Sequence, residues 1–392
     1  MKKLNIGLYG FGVVGQGLYA VLQKSKTVDA IISTICIKHK NKDRGTDSPL
    51  LTLDREKILN DAKVNVVVEL IDDAAEAYLL VKEALYSGKN VVSGNKKMLA
   101  AHLEEMIQIQ KETGKSLLYD ASACGSIPII RNLEEYYDND LLTSITGILN
   151  GSSNYILTQI FRENKEYAIA LKEAQALGFA ESNPDADVNG SDSLYKLVII
   201  TAHAFGIIVP PDDIFRFGIA HIRDFDVRFA KEKGLRIKLV AKVMKTETGE
   251  ISMYVAPGFV SEENYIYNVE EEYNGVVIEG EFYDKQFMFG KGAGAFPTGS
   301  AVLSDITAIS HNYKYEYKKR KFFKQPNFTN HVFLTIYLRF DRQEDLSLFD
   351  FEEIYEQYNS REANYIVGKI SLEKLLEIKD RLASLPVFLG VI

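Results

Sequence analysis

The chain has 392 residues, of which 46% are hydrophobic and 26% charged, so it is long enough for two or three globular domains. Its net charge of −8 gives no indication of a nucleic-acid partner, and its apolar runs are too short to predict a membrane span. The two cysteines, Cys36 and Cys124, are too few for a disulfide framework and indicate a reducing compartment. We therefore expect a cytoplasmic protein.

The first predicted element is a buried strand, Leu4 to Tyr9, followed by the glycine loop GFGVVG and a helical pattern. This is the dinucleotide-binding fingerprint in the strand–turn–helix context that it requires. Gly10 allows the tight turn, Gly12 lets the backbone approach a pyrophosphate, and Gly15 lets helix and strand pack closely. Residues 1–150 are therefore predicted to form a Rossmann-type dinucleotide-binding domain.

The end of the second predicted strand, Ile31 to Ile37, indicates which dinucleotide binds. NAD-binding domains place an acidic residue there for the ribose, whereas this chain has Lys38, His39 and Lys40. A cationic strand end suits a 2′-phosphate, so we predict NADP, with NAD as the alternative. The competing interpretation is that these lysines only form an exposed turn.

Strands continue to alternate with helices, which indicates a doubly wound parallel sheet of the α/β class. The predicted elements are a strand over 64–70, a helix over 74–87, a strand over 90–93, a helix over 98–113 and a strand over 117–119. Lys96 follows the strand that ends at Ser93, on the side of the sheet where ligands bind. Spacing alone does not separate Lys96 from its neighbour Lys97.

An acidic segment from Glu181 to Lys196 reads ESNPDADVNGSDSLYK. Asp192 and Lys196 are four residues apart and share one face of a predicted helix. The segment also opens like an EF-hand calcium loop, but the twelfth position, which needs a bidentate Glu, is Lys196. A calcium loop, a solvated acidic loop and a cluster that handles protons or a polar substrate remain open, and we favour the cluster.

The remaining residues predict two further regions. Residues 151–290 are interpreted as an α+β substrate and dimerisation domain with an open mixed sheet, in which Val276 and Val277 are candidates for pairing across subunits. A helix over 301–310 is expected to return to the first domain, so that about 291–312 complete it. The basic residues 314–324 are interpreted as a solvated linker.

The C-terminal residues 325–392 are predicted to form a small separate α+β module. Strands over 331–340, 364–370 and 386–392 alternate with helices over 349–359 and 371–385. This order resembles an ACT-like, ferredoxin-like module that lacks one strand. Such a module would bind an end product such as threonine, or would only dimerise.

Seven motifs together resemble the homoserine dehydrogenase family in order and spacing. They are GFGVVG at 10–15, VVELI at 67–71, the Asn95–Lys96 pair, ASACGSIPII at 121–130, GILNGSSNYIL at 147–157, the acidic segment from 172 to Lys196, and GKGAGAFPTGSAVLSDI at 290–306. The resemblance implies the NAD(P)H-dependent reduction of aspartate 4-semialdehyde to homoserine, on the route to threonine, methionine and isoleucine. It also implies a small-molecule substrate and a homodimer or tetramer.

The resemblance also implies residue roles. Lys96 and Lys196 match the two catalytic lysines, and we expect Lys96 to donate the proton while Lys196 anchors or relays. The implied substrate-binding residues are Glu181, Asp187, Asp192 and Lys196. The expected cofactor contacts are Gly10, Phe11, Gly12, Val14, Gly15, Lys38, Lys40, Ser93, Lys96 and Gly292. Carbonyl groups of Asp120, Ala123, Gly125 and Ile127 match positions that bind a monovalent cation, usually sodium.

Four positions depart from the family pattern. Asp72 and Asp73 replace two glycines after VVELI, Asp120 replaces a usual Glu, and Cys124 replaces a usual Gly. We interpret His203, in the apolar stretch TAHAFG, as a core histidine. Two other functions compete with the resemblance: a different dehydrogenase of related scaffold, and a nucleotide-sensing protein without activity.

Overall fold

A computed structural model describes residues 3–39 and 50–392 of the chain. Lys40, one of the predicted cofactor contacts, lies outside the described residues. The chain divides into two compact units. The first unit comprises 1–138, 202–204 and 291–323, and the second comprises 139–201, 205–290 and 324–392.

Strands and helices alternate along the first part of the chain, as predicted. The elements are β1 Leu4–Tyr9, α1 Val13–Lys24, β2 Ala30–Cys36, β3 Leu51–Thr52, α2 Glu56–Leu59, β4 Val66–Glu69, α3 Ala74–Tyr86, β5 Asn90–Ser93, α4 Lys96–Thr113, β6 Leu117–Leu118, α5 Ala121–Cys124 and α6 Ile129–Glu135. The strands form one parallel sheet in the order β3-β2-β1-β4-β5-β6. The carboxyl ends of all its strands therefore lie along one edge, and the prediction of a doubly wound α/β sheet is confirmed.

The remaining elements contain long strands as well as helices. They are β7 Leu142–Ile148, α7 Gly151–Glu163, α8 Tyr167–Ala176, α9 Asp185–Val188, α10 Ser191–Phe205, β8 Phe215–Arg216, α11 Asp224–Glu232, β9 Arg236–Lys245, β10 Ile251–Val260, β11 Tyr273–Gly280, β12 Asp284–Lys291, α12 Ala295–Ser310, α13 Lys318–Phe322, β13 Phe333–Phe340, α14 Gln343–Leu346, β14 Phe351–Asn359, β15 Asn364–Ser371, α15 Leu372–Glu377, α16 Lys379–Leu382 and β16 Phe388–Val391. Among the described residues, every helix is too short or too polar to span a membrane.

Helices α1 and α12 of the first unit pack at very short distance. A Cβ added at Gly17 would lie 1.9 Å from the carbonyl oxygen of Ala295, and one added at Gly299 would lie 2.6 Å from the backbone nitrogen of Leu18. Only glycine at both positions lets the two backbones approach this closely. Helix α12, far along the chain, is therefore an integral part of the first unit.

The second unit is built on a mixed sheet of ten strands. Its main path is β12-β11-β7-β9-β10-β16-β13-β15-β14, with β8 beside β10. Val276 and Val277 face Gly147 and Thr146 of β7, and the other edge of β11 is occupied by β12. The prediction that these valines pair across subunits is therefore wrong, because both edges of their strand are filled within the chain.

The C-terminal residues differ from the prediction in one element. The predicted helix over 349–359 is wrong: Phe351–Asn359 form strand β14, which pairs with β15. This edge strand is exposed along most of its length, so its charged residues show no two-residue alternation. The observed order is β-α-β-β-α-β, with the helical segment between β15 and β16 divided into α15 and α16.

The prediction that residues 314–324 form a solvated linker is wrong for the first half of the segment, whereas residues 321–324 are exposed. Tyr315, Tyr317 and Lys319 are 4%, 8% and 7% exposed. Alternate side chains of this segment point into the first unit, where the Tyr317 hydroxyl accepts a hydrogen bond from Gln110 at 3.0 Å. The aliphatic and aromatic parts of these residues therefore contribute to the core in spite of the local positive charge.

Candidate active site

The glycine loop between β1 and α1 has the shape of a phosphate cradle. Gly10 has a φ of +93°, and a Cβ there would lie 2.3 Å from the carbonyl oxygen of Leu70. A Cβ at Gly15 would meet the Gly10 carbonyl oxygen at the same distance, whereas one at Gly12 would have no neighbour within 4 Å. The loop is thus closed on the protein side and open above Gly12, as a bound pyrophosphate requires.

The ends of strands β4 and β5 carry a buried polar group beside this loop. Glu69, the last residue of β4, is fully buried and accepts hydrogen bonds from the Ile71 amide at 2.8 Å and the Ser93 hydroxyl at 2.5 Å. Asn95 caps α4 by accepting a hydrogen bond from the Met98 amide at 2.9 Å. Lys96 then starts the helix.

The two adjacent lysines differ in burial, and this difference distinguishes them where sequence spacing could not. Lys96 is half-buried, whereas Lys97 is exposed. Both lysines follow the carboxyl end of β5, but only the partly shielded one can hold an ammonium group in a site that excludes water. The structure therefore favours Lys96.

Asp73, one of the two aspartates that replace family glycines, has a local structural role. Asp73 is the N-cap of α3, where its carboxylate accepts hydrogen bonds from the amides of Glu76 at 2.9 Å and Ala75 at 3.0 Å. These hydrogen bonds, with the positive charges of Lys38 and Lys97, lower the pKa of Asp73. Asp73 thus stabilises the helix start.

The loop after β6 is held by a buried group of charged residues. The Asp120 carboxylate accepts hydrogen bonds from the amides of Ile130 at 3.0 Å and Arg131 at 3.2 Å. Asp305 of α12 accepts one from the Asp120 amide at 2.9 Å and pairs with the Arg131 guanidinium at 2.6 Å. Burial, together with the charge of Asp120, raises the pKa of Asp305 to about 7.

Gly125 and Cys124 lie in the same loop. Gly125 has a φ of +55°, and a Cβ there would meet the Gly292 carbonyl oxygen at 2.5 Å, so no other residue fits. Cys124 ends the short helix α5, with ordinary helical backbone. Its replacement of the family glycine therefore causes no backbone strain.

The acidic segment brings a buried lysine and carboxylates together in the second unit. The Lys196 ammonium contacts the Asp192 carboxylate at 2.7 Å and donates a hydrogen bond to the Leu149 carbonyl at 2.6 Å. Asn150 donates hydrogen bonds to Asp192 at 2.9 Å and to Asp187 at 2.7 Å. Lys196 and Asp192 are 7% and 5% exposed. These two residues are therefore buried, and the alternative of a solvated acidic loop does not apply to them.

Glu181 is the predicted substrate residue that the structure leaves apart from this hydrogen-bonded cluster. Its side chain is exposed, and its carbonyl accepts a hydrogen bond from Gln175 at 3.0 Å. The residue that sequence reasoning missed is Asn150. The sequence clue to Asn150 was its position directly before GSSN, which is the N-cap position of α7. The Asn150 side chain accepts a hydrogen bond there from the Ser153 amide at 2.7 Å.

His203 is confirmed as a core histidine. It is 2% exposed and its ring nitrogens contact Glu134 at 2.6 Å and the Tyr119 hydroxyl at 2.8 Å. Its polar atoms are therefore satisfied within the first unit.

A dinucleotide cradle on a parallel sheet, in a chain that also buries a lysine among carboxylates, defines an NAD(P)-dependent oxidoreductase. Two family models match the chain: the homoserine dehydrogenase NAD-binding domain over residues 10–120, and homoserine dehydrogenase over residues 128–307. Together they cover most of the chain. The chain belongs to the homoserine dehydrogenase family.

Individual relatives agree with this assignment. The homoserine dehydrogenase of Helicobacter pylori is 37% identical over 79% of this chain and 74% of its own length, and that of Bacillus subtilis is 34% identical over 80% and 74%. The crystal structure of a homoserine dehydrogenase from Thiobacillus denitrificans matches with a TM-score of 0.86 at 29% identity, covering 100% of this chain and 98% of its own. A hyperthermophilic archaeal homoserine dehydrogenase in complex with NADPH matches with a TM-score of 0.68 at 27% identity, over 80% and 99%. The competing interpretations, a different dehydrogenase and a sensor without activity, are set aside.

Proposed function

We propose that this homoserine dehydrogenase reduces aspartate 4-semialdehyde with NADPH, with Lys96 as the proton donor and Lys196 as the substrate anchor or relay. The observation that carries this proposal is the buried Lys196–Asp192 pair, bridged through Asn150 to Asp187. Burying these charges is costly, and a polar substrate explains why they are retained. The bound nicotinamide would supply the hydride.

The residue roles follow from the chemistry of the substrate. Its ammonium group needs carboxylates, which Asp187, Asp192 and the exposed Glu181 would supply. The aldehyde oxygen becomes negatively charged during reduction and needs a proton donor, for which we propose Lys96. Lys196 is paired with the Asp192 carboxylate, so we assign it the role of anchor or relay.

The cofactor is proposed to lie over the open face of the glycine loop. Lys38 follows β2 with an exposed side chain, which suits a 2′-phosphate, and the archaeal relative with bound NADPH supports NADP over NAD. The proposed contacts in the described part of the chain are Gly10, Phe11, Gly12, Val14, Gly15, Lys38, Ser93, Lys96 and Gly292. Lys40 is proposed from sequence alone.

A monovalent cation is proposed at the loop after β6. Its carbonyl ligands would come from Asp120, Ala123, Gly125 and Ile127. The loop fits this role because hydrogen bonds to Asp120 and the close contact of Gly125 with Gly292 fix its backbone. The cation would hold the loop in place and take no part in the hydride transfer.

We also propose the domain assignments and the assembly. Residues 1–150 with about 291–312 would form the cofactor domain, and 151–290 the substrate and dimerisation domain of a cytoplasmic homodimer. A dimer is supported by an exposed aromatic surface on the second unit, where Tyr265 and Phe287 lie 5.9 Å apart and Phe289 stacks on Tyr273 at 4.8 Å.

We propose that residues 325–392 form an ACT-like module. The order β-α-β-β-α-β and the antiparallel arrangement β16-β13-β15-β14 agree with a ferredoxin-like topology. Such a module would bind an end product such as threonine, or would serve dimerisation alone.

The experiment is to follow NADPH and NADH oxidation with aspartate 4-semialdehyde, with and without threonine. We expect a higher kcat/KM with NADPH, and a loss of this preference in Lys38→Ala. Equal kcat/KM with the two cofactors would refute the 2′-phosphate assignment. Inhibition by threonine would identify the ACT-like module as regulatory, and its absence would leave dimerisation as the role.

The role of Lys96 is tested by Lys96→Met with Lys97→Met as the matched control. Loss of a general acid is expected to lower kcat by roughly 10²–10⁴-fold. The exposed Lys97 should be replaceable with little change in kcat. Near-normal turnover of Lys96→Met would defeat the assignment.

A further inference from the structure

Glu69 is a fully buried carboxylate to which the family resemblance assigns no role. It ends strand β4 and accepts hydrogen bonds from the Ile71 amide and the Ser93 hydroxyl. Among the described residues it forms no ion pair, so its negative charge is compensated by hydrogen bonds alone. A neutral side chain would cost less to bury, and the carboxylate therefore needs another explanation.

The hydrogen bonds of Glu69 lead directly to the start of α4. The Ser93 Oγ that donates to Glu69 also accepts a hydrogen bond from the Asn95 amide at 3.1 Å. The Asn95 side chain donates to the Ile71 carbonyl at 3.0 Å and caps α4 through the Met98 amide. Glu69, Ser93, Asn95 and Ile71 thus form a closed ring of hydrogen bonds across the ends of β4 and β5.

Lys96 is the residue that follows this ring. The N-cap geometry of Asn95 fixes the direction of the first turn of α4, and Lys96 is the first residue of that turn. A shift at Ser93 or Asn95 would therefore move the ammonium group of Lys96. General-acid catalysis depends strongly on such placement, because proton transfer requires hydrogen-bond distance.

We propose that Glu69 is a positioning residue, whose carboxylate fixes the turn from Ser93 to Lys96 and thereby the placement of the proton donor. This inference rests on the proposed role of Lys96. Glu69 is fully buried and would act through Ser93 and Asn95.

The electrostatics of Glu69 agree with a residue kept for function. Burial and, to a smaller extent, the charge of Asp72 raise the pKa of Glu69 to about 7, against the hydrogen bonds from Ser93 and Ile71. At the slightly alkaline pH of an assay the group is ionised at a cost in stability. A residue retained at such a cost is typical of active sites, where function and stability compete.

The test is the isosteric variant Glu69→Gln, assayed with NADPH and aspartate 4-semialdehyde at several pH values. We expect kcat at pH 8 to fall by about 10-fold or more, because a displaced donor transfers its proton inefficiently. The KM for NADPH should stay within about 2-fold, and the melting temperature at pH 8 should not fall. A purely structural role would lower stability and leave kcat unchanged.

The matched control is Glu134→Gln, which alters another buried glutamate of the first unit. Glu134 contacts His203 at 2.6 Å and accepts a hydrogen bond from the Glu316 amide at 3.0 Å. Its replacement should lower the melting temperature and leave kcat unchanged.

Ser93→Ala supplies a second test, and because Ser93 is also a proposed cofactor contact, its kcat is measured at saturating NADPH. It should lower kcat in the same way, and the double variant with Glu69→Gln should be no slower than the slower single variant, because both changes break the same ring. If Glu69→Gln fails to fold, Ser93→Ala alone decides. Wild-type kcat in either folded variant overturns the proposal, and fully multiplicative effects in the double variant do so as well. Wild-type kcat in Glu69→Gln together with a lowered kcat in Lys96→Met would overturn the role of Glu69 alone. Near-normal kcat in Lys96→Met would overturn the role of Lys96 as well, so the two failures are distinguishable.

Discussion

Lys238 shows how a single buried charge can hold a turn in place. It lies on β9 with 2% exposure, and its ammonium donates hydrogen bonds to the Val269 carbonyl and to the Asn154 side chain at 3.3 Å. Asn154 in turn donates to the carbonyls of Glu271 at 2.9 Å and Tyr273 at 3.2 Å. The two side chains join α7, β9 and the turn before β11.

The pH dependence of stability should reveal the cost of this burial. Desolvation lowers the pKa of Lys238 to about 8, whereas the pKa of a lysine in an unfolded chain is about 10.4. Between these values the unfolded state binds more protons, so Lys238 makes the free energy of unfolding rise with pH, by at most about 3 kcal/mol. Below pH 8 both states are protonated and the contribution is constant.

The measurement is urea unfolding of wild type and Lys238→Met at pH 7, 8, 9 and 10. The difference in stability between the two proteins should change across the upper part of this range. Lys231→Met, which changes an exposed lysine, is the control and should follow the wild type. A Lys238→Met variant with the pH slope of the wild type would refute the argument.

Sequence reasoning identified residues whose chemistry is unusual for their position. Lys96, Asp192 and Lys196 were identified because a charged residue beside a strand end or in an apolar helix indicates a functional site. Glu69 and Asn150 did not stand out, because their importance lies in hydrogen bonds to residues distant in the chain. Such partners become visible only when the strand ends are placed side by side.

At the scale of elements, helix α11 is attached to strand β13 by a buried ion pair. Arg339 contacts the Asp226 carboxylate at 2.9 Å, and the same carboxylate accepts hydrogen bonds from the Tyr337 hydroxyl at 2.9 Å and the Arg223 amide at 2.8 Å. Asp226 and Arg339 are both fully buried. The carboxylate therefore caps its own helix and fixes the neighbouring strand.

Asp226→Ala should be strongly destabilising, since it leaves the Arg339 charge buried without its carboxylate. The expected loss in free energy of unfolding is about 3–5 kcal/mol. Asp224→Ala, in the exposed first turn of the same helix, should cost under about 1 kcal/mol. Chemical denaturation of both variants measures the difference, and equal losses would contradict the assigned importance of the buried pair.

Elements were predicted best where burial imposes a clear pattern. Five of the six strands of the parallel sheet contain apolar runs and were placed within a few residues, whereas the two-residue strand β3 was not predicted. Strand β14 was mistaken for a helix because, at the edge of a sheet, most of its side chains face solvent.

At the scale of the whole molecule, the C-terminal residues share a sheet with the preceding part of the second unit. Strand β16 pairs with β10 through Gly258 and Val391, and with β13 on its other side. Arg339 of β13 also donates a hydrogen bond to the His221 carbonyl at 2.6 Å. The module proposed for 325–392 is thus structurally continuous with the strands before it.

Truncation after Phe323 should therefore damage the second unit, and not only remove a regulatory region. It would expose the edge of β10 and leave Asp226 without Arg339, so we expect aggregation or a lowered melting temperature. Full-length Arg339→Met, which keeps every strand, should lose less stability. A truncated chain that is monodisperse, with the melting temperature of the full chain, would show that the C-terminal residues are dispensable for folding.

The close contact between α1 and α12 has a consequence for the way the protein is made. Gly17 emerges from the ribosome long before Ala295, the residue against which it packs. During translation, helix α1 lacks its packing partner α12 while residues 139–201 and 205–290 are synthesised. Strands β7, β9, β10 and β11 of the second unit are synthesised during this interval, and α1 gains its partner helix only when synthesis is far advanced.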